Sequence, residues 1–281
     1  MKKLQLWVST LALICLGTQA VLADDDTVAV RKALKVCADP NYQPFSSRDQ
    51  SGYENRIASL IGEALQLPVE YTWFPQRMGF VRNTLRKENP DGDGYLCDLV
   101  MGVPNSFELA VPSQPYLHST YALVVAKEGK LGQVESPTAL PAMADSVQQV
   151  KVGITERSPG SVWLAKYGLY DWMSPYVAQS GDPEEFPGQP MLEDLLAGKL
   201  DAAIVWGPTA AYFVKQGQGK LSLLPMQSEP GVRLDFKIST AVRFGEDDWE
   251  AEVNRVLDAH AAQIQAIIQE YGIPVVARDD S

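Results

Sequence analysis

Histidine and cysteine, the side chains that most often carry metal or nucleophilic chemistry, are scarce in this sequence. Only two histidines, His118 and His260, and three cysteines occur among 281 residues, which excludes a histidine-rich metal site. The chain also lacks a G-x-S-x-G motif, a glycine-rich nucleotide loop and a Cys-x-x-Cys-His haem attachment site. Residues 89–95 begin like a calcium loop without its later ligands, so we interpret them as a turn. We therefore predict no metal, no cofactor and no catalytic residues.

Long apolar runs are absent beyond the N-terminus. Lys2 and Lys3 precede an apolar stretch that closes with Val21 and Ala23 at the small-residue positions of a cleavage site. This stretch is too short and too interrupted by polar residues to compete well as a membrane span. We predict a signal peptide over residues 1–23, cleaved after Ala23, and a periplasmic mature chain that does not insert into the membrane.

Positive charge is also in short supply. The 24 lysines and arginines face 35 acidic residues, for a net charge of −11, and removal of the two leader lysines lowers this to −13. So acidic a chain argues against nucleic acid or anionic lipid as a partner, and leaves a basic protein partner electrostatically open.

Two cysteines, Cys37 and Cys97, remain after the leader is removed. The compartment is oxidising, and neither cysteine has a neighbouring histidine or a Cys-x-x-Cys partner. We therefore predict a disulfide between them. It closes a loop of about 60 residues, worth roughly 4 kcal/mol in the chain-entropy model.

Strand and helix patterns alternate in the first part of the mature chain. Apolar strands are predicted at residues 34–38, 68–74 and 97–103, and amphipathic helices at 53–67 and 77–88. This alternation predicts an α/β fold with parallel pairing of the strands.

A second α/β unit follows, with strands at 151–155 and 200–206 and helices at 158–169 and 191–199. Extended segments at 119–127 and 234–243 bracket this unit, so we predict that they cross between two lobes. A final helix near 248–271 should pack on the first lobe. The predicted domains are residues 24–122 plus 239–281 for lobe 1 and residues 123–238 for lobe 2.

Several stretches carry a family resemblance in their order and spacing. They are "VCADPNYQPFS", "GYENRIASLIGEALQLPVEYTW", "CDLVMGV", "PSQPYLHSTYALVV", "KVGIT" and "LLAGKLDAAIVWGPTAAY". The chain resembles the type II periplasmic solute-binding fold of the amino-acid-transporter class. That implies two lobes, each a mixed sheet flanked by helices, with a cleft between them. More narrowly, "VCADPNYQPFS", "GYENRIA" and "PQRMGFVRNTL", followed by "CDLVMGVP", make the chain similar to the solute-binding-like proteins associated with quinoprotein (PQQ) methanol and alcohol dehydrogenases.

The residues that hold an amino acid in such relatives are missing. Those relatives usually carry an arginine after the strand equivalent to "CDLVMG", where it clamps the ligand carboxylate, yet no arginine occurs between Met101 and Tyr116. They also place an aspartate at the end of the strand equivalent to "DAAIVW", where this chain has Trp206. Loss of a charged partner in a buried site costs about 2 to 5 kcal/mol, so tight binding of free amino acids is not expected.

The remaining cleft candidates are mostly aromatic or apolar and follow the carboxyl ends of predicted strands, where ligands bind in open α/β sheets. The predicted cleft residues are Tyr42, Phe45, Arg77, Met101, Tyr116, His118, Trp163 and Trp206. Glu54 and Glu156 are candidate cleft acids, or ordinary carboxylates of a helix start and a loop. Trp206 either lines the cleft or fills a dead site.

The resemblance implies a non-catalytic accessory protein that interacts with, or helps to mature, a PQQ-dependent alcohol dehydrogenase or its cytochrome c. Two alternatives stay open at this stage. One is a receptor that delivers an apolar or neutral small molecule to an ABC permease. The other is a secreted lyase of the cyclohexadienyl dehydratase type, which needs cationic anchors for its substrate carboxylates.

Overall fold

The computed structural model describes residues 31–92, 94–178 and 181–277. The predicted signal peptide and its cleavage after Ala23 lie outside these residues. The strands are β1 Leu34–Ala38, β2 Asn41–Tyr42, β3 Ser46–Ser47, β4 Val69–Trp73, β5 Leu99–Pro104, β6 Val111–Pro112, β7 Leu117–Ala126, β8 Val152–Thr155, β9 Met173–Tyr176, β10 Ala202–Trp206, β11 Leu221–Pro225 and β12 Asp235–Val242. The helices are α1 Tyr53–Leu65, α2 Phe80–Asn83, α3 Pro159–Lys166, α4 Gln189–Leu196, α5 Gly207–Gln216, α6 Asp247–Ala259 and α7 Ala261–Glu270, with 3-10 helices at Pro137–Met143 and Tyr170–Trp172.

Most strands join one mixed sheet in the order β4-β1-β5-β12-β7-β10-β8-β9. The strands predicted from the alternating pattern pair in parallel, β1 with β4 and β5, and β8 with β10. Antiparallel pairing enters through β12, which lies between β5 and β7, and through β11, which pairs with β7. The parallel prediction is therefore confirmed within each half, and the crossing strands make the whole sheet mixed.

The two predicted crossing segments become β7 and β12, and they pair with each other. The first part of β7 faces β12, with Thr120 opposite Asp235, while its later part faces β10, with Tyr121 opposite Trp206. One long strand thus belongs to both halves of the sheet. The two-lobed α/β fold is confirmed, and the lobe boundaries at residues 122/123 and 238/239 stay predictions.

The terminal helices pack on the first half of the molecule, as predicted. Trp249 of α6 and Ile264 of α7 share a buried apolar cluster with Ile57 of α1 and Leu34 of β1. The prediction of a single helix over 248–271 is wrong, because the chain leaves helical geometry at His260, which caps α6 with φ −113°. Both helices bury their apolar faces in the same core, so the apolar sequence pattern continues across the break between them.

The helix predicted over residues 77–88 is reduced to the single turn α2. Gly79 precedes it with a left-handed φ of 87°, and Thr84 ends it with φ −127°. The Thr84 hydroxyl donates a hydrogen bond to the Phe80 carbonyl at 2.7 Å. Phe80, Val81 and Leu85 of this segment are still buried, in one cluster with both disulfide cysteines, whereas Met78 is exposed.

The predicted disulfide between Cys37 and Cys97 is present, with 5.4 Å between the Cα atoms. A buried arginine braces the chain beside it. Arg243 binds the Cys97 carbonyl and forms ion pairs with Asp98 at 2.8 Å and with Glu246 at 2.6 Å. This end of the first lobe is therefore held by one covalent link and one buried guanidinium.

Among the described residues, no helix has the length and apolar character needed to cross a membrane.

Candidate functional site

A cavity of about 290 Å³ lies where the two halves of the molecule meet the crossing strands. Its size is near the lower end of the usual range for small-molecule pockets. Its lining residues are Tyr42, Phe45, Glu54, Gln76, Gly102, Pro104, Tyr121, Pro159, Trp206, Phe236 and Ile238.

Aromatic rings line this cavity in two groups. In the first, Tyr42 and Phe45 stack with their ring centroids 4.5 Å apart. In the second, Trp206 lies 5.5 Å from Tyr121 and 5.9 Å from Phe236, in tilted and edge-to-face arrangements. The first pair comes from the loop after β1, and the second group comes from three neighbouring strands of the sheet.

Trp206 reaches the cavity because of the way its strand ends. β10 is apolar throughout, and Gly207 and Pro208 begin α5 directly after it. A Cβ atom at position 207 would lie 2.5 Å from the Ser119 hydroxyl and 2.5 Å from the Thr120 carbonyl. Glycine therefore allows the first residue of α5 to lie in close contact with β7. The chain turns sharply there from β10 into α5, and the Trp206 ring at this turn lines the cavity.

The carboxyl group of Glu54 is the one titratable acid in the cavity lining. Although it lies in the first turn of α1, the residue is only 4% exposed. Burial is the main cause that raises the pKa of Glu54 to about 8. The Tyr53 hydroxyl donates a hydrogen bond to Glu54 Oε1 at 3.2 Å and lowers this pKa, whereas the negative charge of Asp39 raises it. The carboxyl is therefore mostly protonated at neutral pH.

The backbone around Glu54 is tightly held. Its N–H donates to the Phe45 carbonyl at 3.0 Å, and the Asn55 side chain accepts hydrogen bonds from Ser47 N at 3.0 Å and Gly52 N at 3.2 Å. Gly102, with φ 67°, lies against the Glu54 carboxyl, where a Cβ atom would overlap Oε1. The acid is thus fixed between α1 and the end of β5.

Three of the predicted cleft residues, Tyr42, Phe45 and Trp206, line the cavity. Arg77 does not line it. Arg77 follows Gln76 in the chain. Its exposed side chain packs against the backbone of Gly181 and lies 5.8 Å from the centroid of the Phe74 ring. Arg77 therefore touches the second half of the molecule beside the cavity, without being part of the lining.

The other four predicted cleft residues lie elsewhere. Met101 and Tyr116 are buried in the apolar core of the first half, behind the cavity wall. Trp163 is 3% exposed and packs in the core of the second half. His118 binds Asp235 at 2.7 Å and lines a different, larger cavity of about 1010 Å³ beside α6 and α7. None of the four is among the residues that line the predicted cleft cavity. Met101 and His118 lie on strands β5 and β7 with side chains turned away from it, whereas Tyr116 precedes β7 and Trp163 is buried by the packing of α3.

Sequence reasoning missed Tyr121 and Phe236 and left Glu54 as one of two possible acids. Tyr121 lies on the crossing strand directly opposite Trp206, and Phe236 lies on the neighbouring β12. Their shared position follows from strand pairing, which no local pattern reveals. The alternative acid, Glu156, is exposed and does not line the cavity.

The site does not match the zwitterion clamp of an amino-acid receptor. None of the eleven lining residues is basic, and Trp206 stands at the end of β10. A ligand carboxylate would find no guanidinium there. The arrangement offers aromatic faces, one buried carboxyl and the amide of Gln76.

No protein-family model matches the sequence. The chain is 27% identical over 293 residues to Protein MoxJ of Methylorubrum extorquens, covering 96% of this chain and 92% of that protein. The crystal structure of MxaJ from Methylophaga aminisulfidivorans MPT superposes with a TM-score of 0.69 at 27% identity, covering 87% of this chain and 100% of that one. The crystal structure of periplasmic binding protein XoxJ from Methylobacterium extorquens AM1 superposes with a TM-score of 0.70 at 31% identity, covering 88% of this chain and 100% of that one.

MoxJ matches in sequence, and XoxJ and MxaJ match in fold, over nearly their whole lengths. The chain belongs to the family of periplasmic solute-binding-like proteins that includes XoxJ, MxaJ and MoxJ.

Proposed function

We propose that this chain is a non-catalytic periplasmic accessory protein that interacts with, or assists the maturation of, a PQQ-dependent methanol or alcohol dehydrogenase. In this proposal the signal peptide exports the chain and is cleaved after Ala23. The mature protein then acts on the dehydrogenase or on its cytochrome c.

This proposal rests on one observation: the chain keeps the binding-protein fold but lacks the residues that clamp an amino acid. Similarity to MoxJ and XoxJ extends over nearly the whole chain, and the cavity lining contains no basic residue. A solute-binding fold without its usual ligand chemistry supports a role other than amino-acid transport. The net charge of −11 also suits a basic partner surface, through faster and salt-sensitive association.

Affinity purification from the periplasm of the native host tests this proposal. A tagged mature chain should carry a PQQ dehydrogenase at near-stoichiometric amounts, and the complex should weaken as ionic strength rises. Deletion of the gene should reduce PQQ-dependent alcohol oxidation in periplasmic extracts, and the wild-type gene should restore it. If no dehydrogenase co-purifies and its activity is unchanged by the deletion, the proposal is wrong.

A second candidate, a receptor for an ABC permease, is favoured by the cavity itself. A receptor would gain about 2.7 kcal/mol of stability from a ligand at 100 times its dissociation constant. A thermal-shift screen of small molecules detects such a gain. The lyase alternative is disfavoured, because the cavity has no cationic anchor for substrate carboxylates, and incubation with prephenate-like substrates should leave them unchanged.

A further inference from the structure

We propose that the cavity between the lobes binds a small organic cation, an ammonium group carrying methyl or methylene groups, held between the aromatic rings and the carboxyl of Glu54. This ligand site does not depend on the dehydrogenase partner proposed above.

The first argument is the arrangement of the rings. Five rings line the cavity: the stacked pair Tyr42 and Phe45, and the group of Tyr121, Trp206 and Phe236. Cations bind to aromatic faces at about 6 Å or less from the ring centroid, and tryptophan is the strongest of these partners. Several rings that line one cavity are the kind of site that recognises alkylated ammonium groups.

The second argument is the charge of the lining. Glu54 carries the only carboxyl group in the lining, and no basic side chain is present there. The buried carboxyl of Asp39 acts on Glu54 with the same sign of charge. The Arg233 guanidinium lies 4.9 Å from the Phe236 centroid but does not line the cavity. The lining therefore has a carboxyl that can pair with a cation and no basic side chain that can pair with an anion.

Glu54 also has no basic counter-ion among the residues that the structure describes. The titratable groups that interact with it are all acids or phenols, namely Asp39, Tyr42, Tyr53, Tyr71 and Tyr116. A bound cation would supply the missing positive charge and would favour the carboxylate. Because burial raises the pKa of Glu54 to about 8 in the empty site, binding near neutral pH should release a proton.

Isothermal titration of the mature, oxidised protein with choline tests the proposal, because choline keeps its charge at every pH used. The matched probe is 3,3-dimethyl-1-butanol, in which carbon replaces the nitrogen and the charge is lost. The anionic probe is 3,3-dimethylbutyrate. We expect choline to bind at least about tenfold more tightly than the alcohol, and the butyrate not to bind.

The pH dependence tests the role of the acid. Choline affinity should rise about tenfold per pH unit below about pH 8 and then level off. Titrations in two buffers of different ionisation enthalpy should report the release of nearly one proton at lower pH. These two measurements use the unaltered protein, so they do not depend on whether any variant folds.

Variants separate the acid from the rings. Glu54→Gln should abolish the proton release and reduce, without removing, the preference for choline over the alcohol, because the rings remain. Trp206→Leu should weaken choline binding at least about tenfold. Glu156→Gln removes the same charge from an exposed position outside the cavity and should change neither result. Equal binding of choline and the alcohol by the wild type, or no choline binding in the millimolar range, would overturn the proposal. The dehydrogenase association would be unaffected by either outcome.

Discussion

Replacement of Glu54 by glutamine should change how the stability of this protein depends on pH. In the folded chain the carboxyl is almost fully buried and its pKa is raised to about 8 by that burial, from an ordinary value of 4.5. The folded state therefore holds a proton that the unfolded state releases. The stabilisation that this bound proton gives to the folded state is complete below about pH 4.5 and is lost as the pH rises through about 8. Glutamine keeps the shape and never ionises.

The size of the effect follows from linkage. Between the two pKa values, the free energy of unfolding of the wild type should fall by about 1.4 kcal/mol per pH unit relative to Glu54→Gln. From about pH 5 to about pH 7 the difference between the two proteins should therefore change by about 3 kcal/mol. Other titrating groups are common to both proteins and cancel.

Urea denaturation of both proteins without bound ligand measures this difference. Tryptophan fluorescence and far-UV circular dichroism should give coincident transitions, so that a two-state free energy is defined. Glu156→Gln, at an exposed position, is the matched control and should run parallel to the wild type. If the Glu54→Gln curve also runs parallel, within about 0.5 kcal/mol over this range, the buried neutral carboxyl is refuted.

Three further changes test the packing around the site and the first lobe. Gly102→Ala should lower the free energy of unfolding by about 1 to 3 kcal/mol more than Gly168→Ala, because both positions have positive φ but only a Cβ at 102 would overlap the Glu54 carboxyl. Urea denaturation compares the two variants, and equal losses of stability would contradict this overlap. Arg243→Met should lower the free energy of unfolding by about 3 to 5 kcal/mol, whereas Arg255→Met, at an exposed ion pair, should lower it by at most about 1 kcal/mol. Similar losses in the two variants would show that the buried arginine does not stabilise the first lobe. Replacement of both disulfide cysteines by serine should cost roughly 4 kcal/mol, and an unchanged urea midpoint would show that the link is dispensable.

Most regular elements could be predicted because their signals are local. The apolar strand at Leu34–Ala38 and the amphipathic helix α1 follow directly from residue periodicity. The prediction of a helix over residues 77–88 failed because Phe80, Val81 and Leu85 are buried by a single turn and a loop that pack on the disulfide. A buried loop and a helix can present the same apolar residues, so the pattern alone does not distinguish them.

The candidate site was predicted in part, and its errors have a common cause. Tyr42, Phe45 and Trp206 follow strand ends, and the structure brings them to one cavity. His118 directly precedes a predicted crossing segment and lies on β7 in the structure, but its side chain points to the opposite side of the sheet and binds Asp235. Successive side chains of a strand alternate between the two faces of a sheet, so a shift of one residue decides which of them line the cleft.

The sequence by itself determined the α/β class through its local periodicity, and it supplied only two mature cysteines to pair. The absence of an amino-acid clamp was read from the same sequence through the family resemblance, which locates the clamp positions. The tertiary structure alone decided that Tyr121 and Phe236 join Trp206, and that Glu54 lies buried in a cavity lining that contains rings and no basic residue. The physical reason is that strand pairing sets which distant side chains meet, and the surroundings of a carboxyl set its pKa. The same glutamate in a solvated first turn would be an ordinary helix carboxylate, whereas in this fold it is a protonated acid facing a cavity.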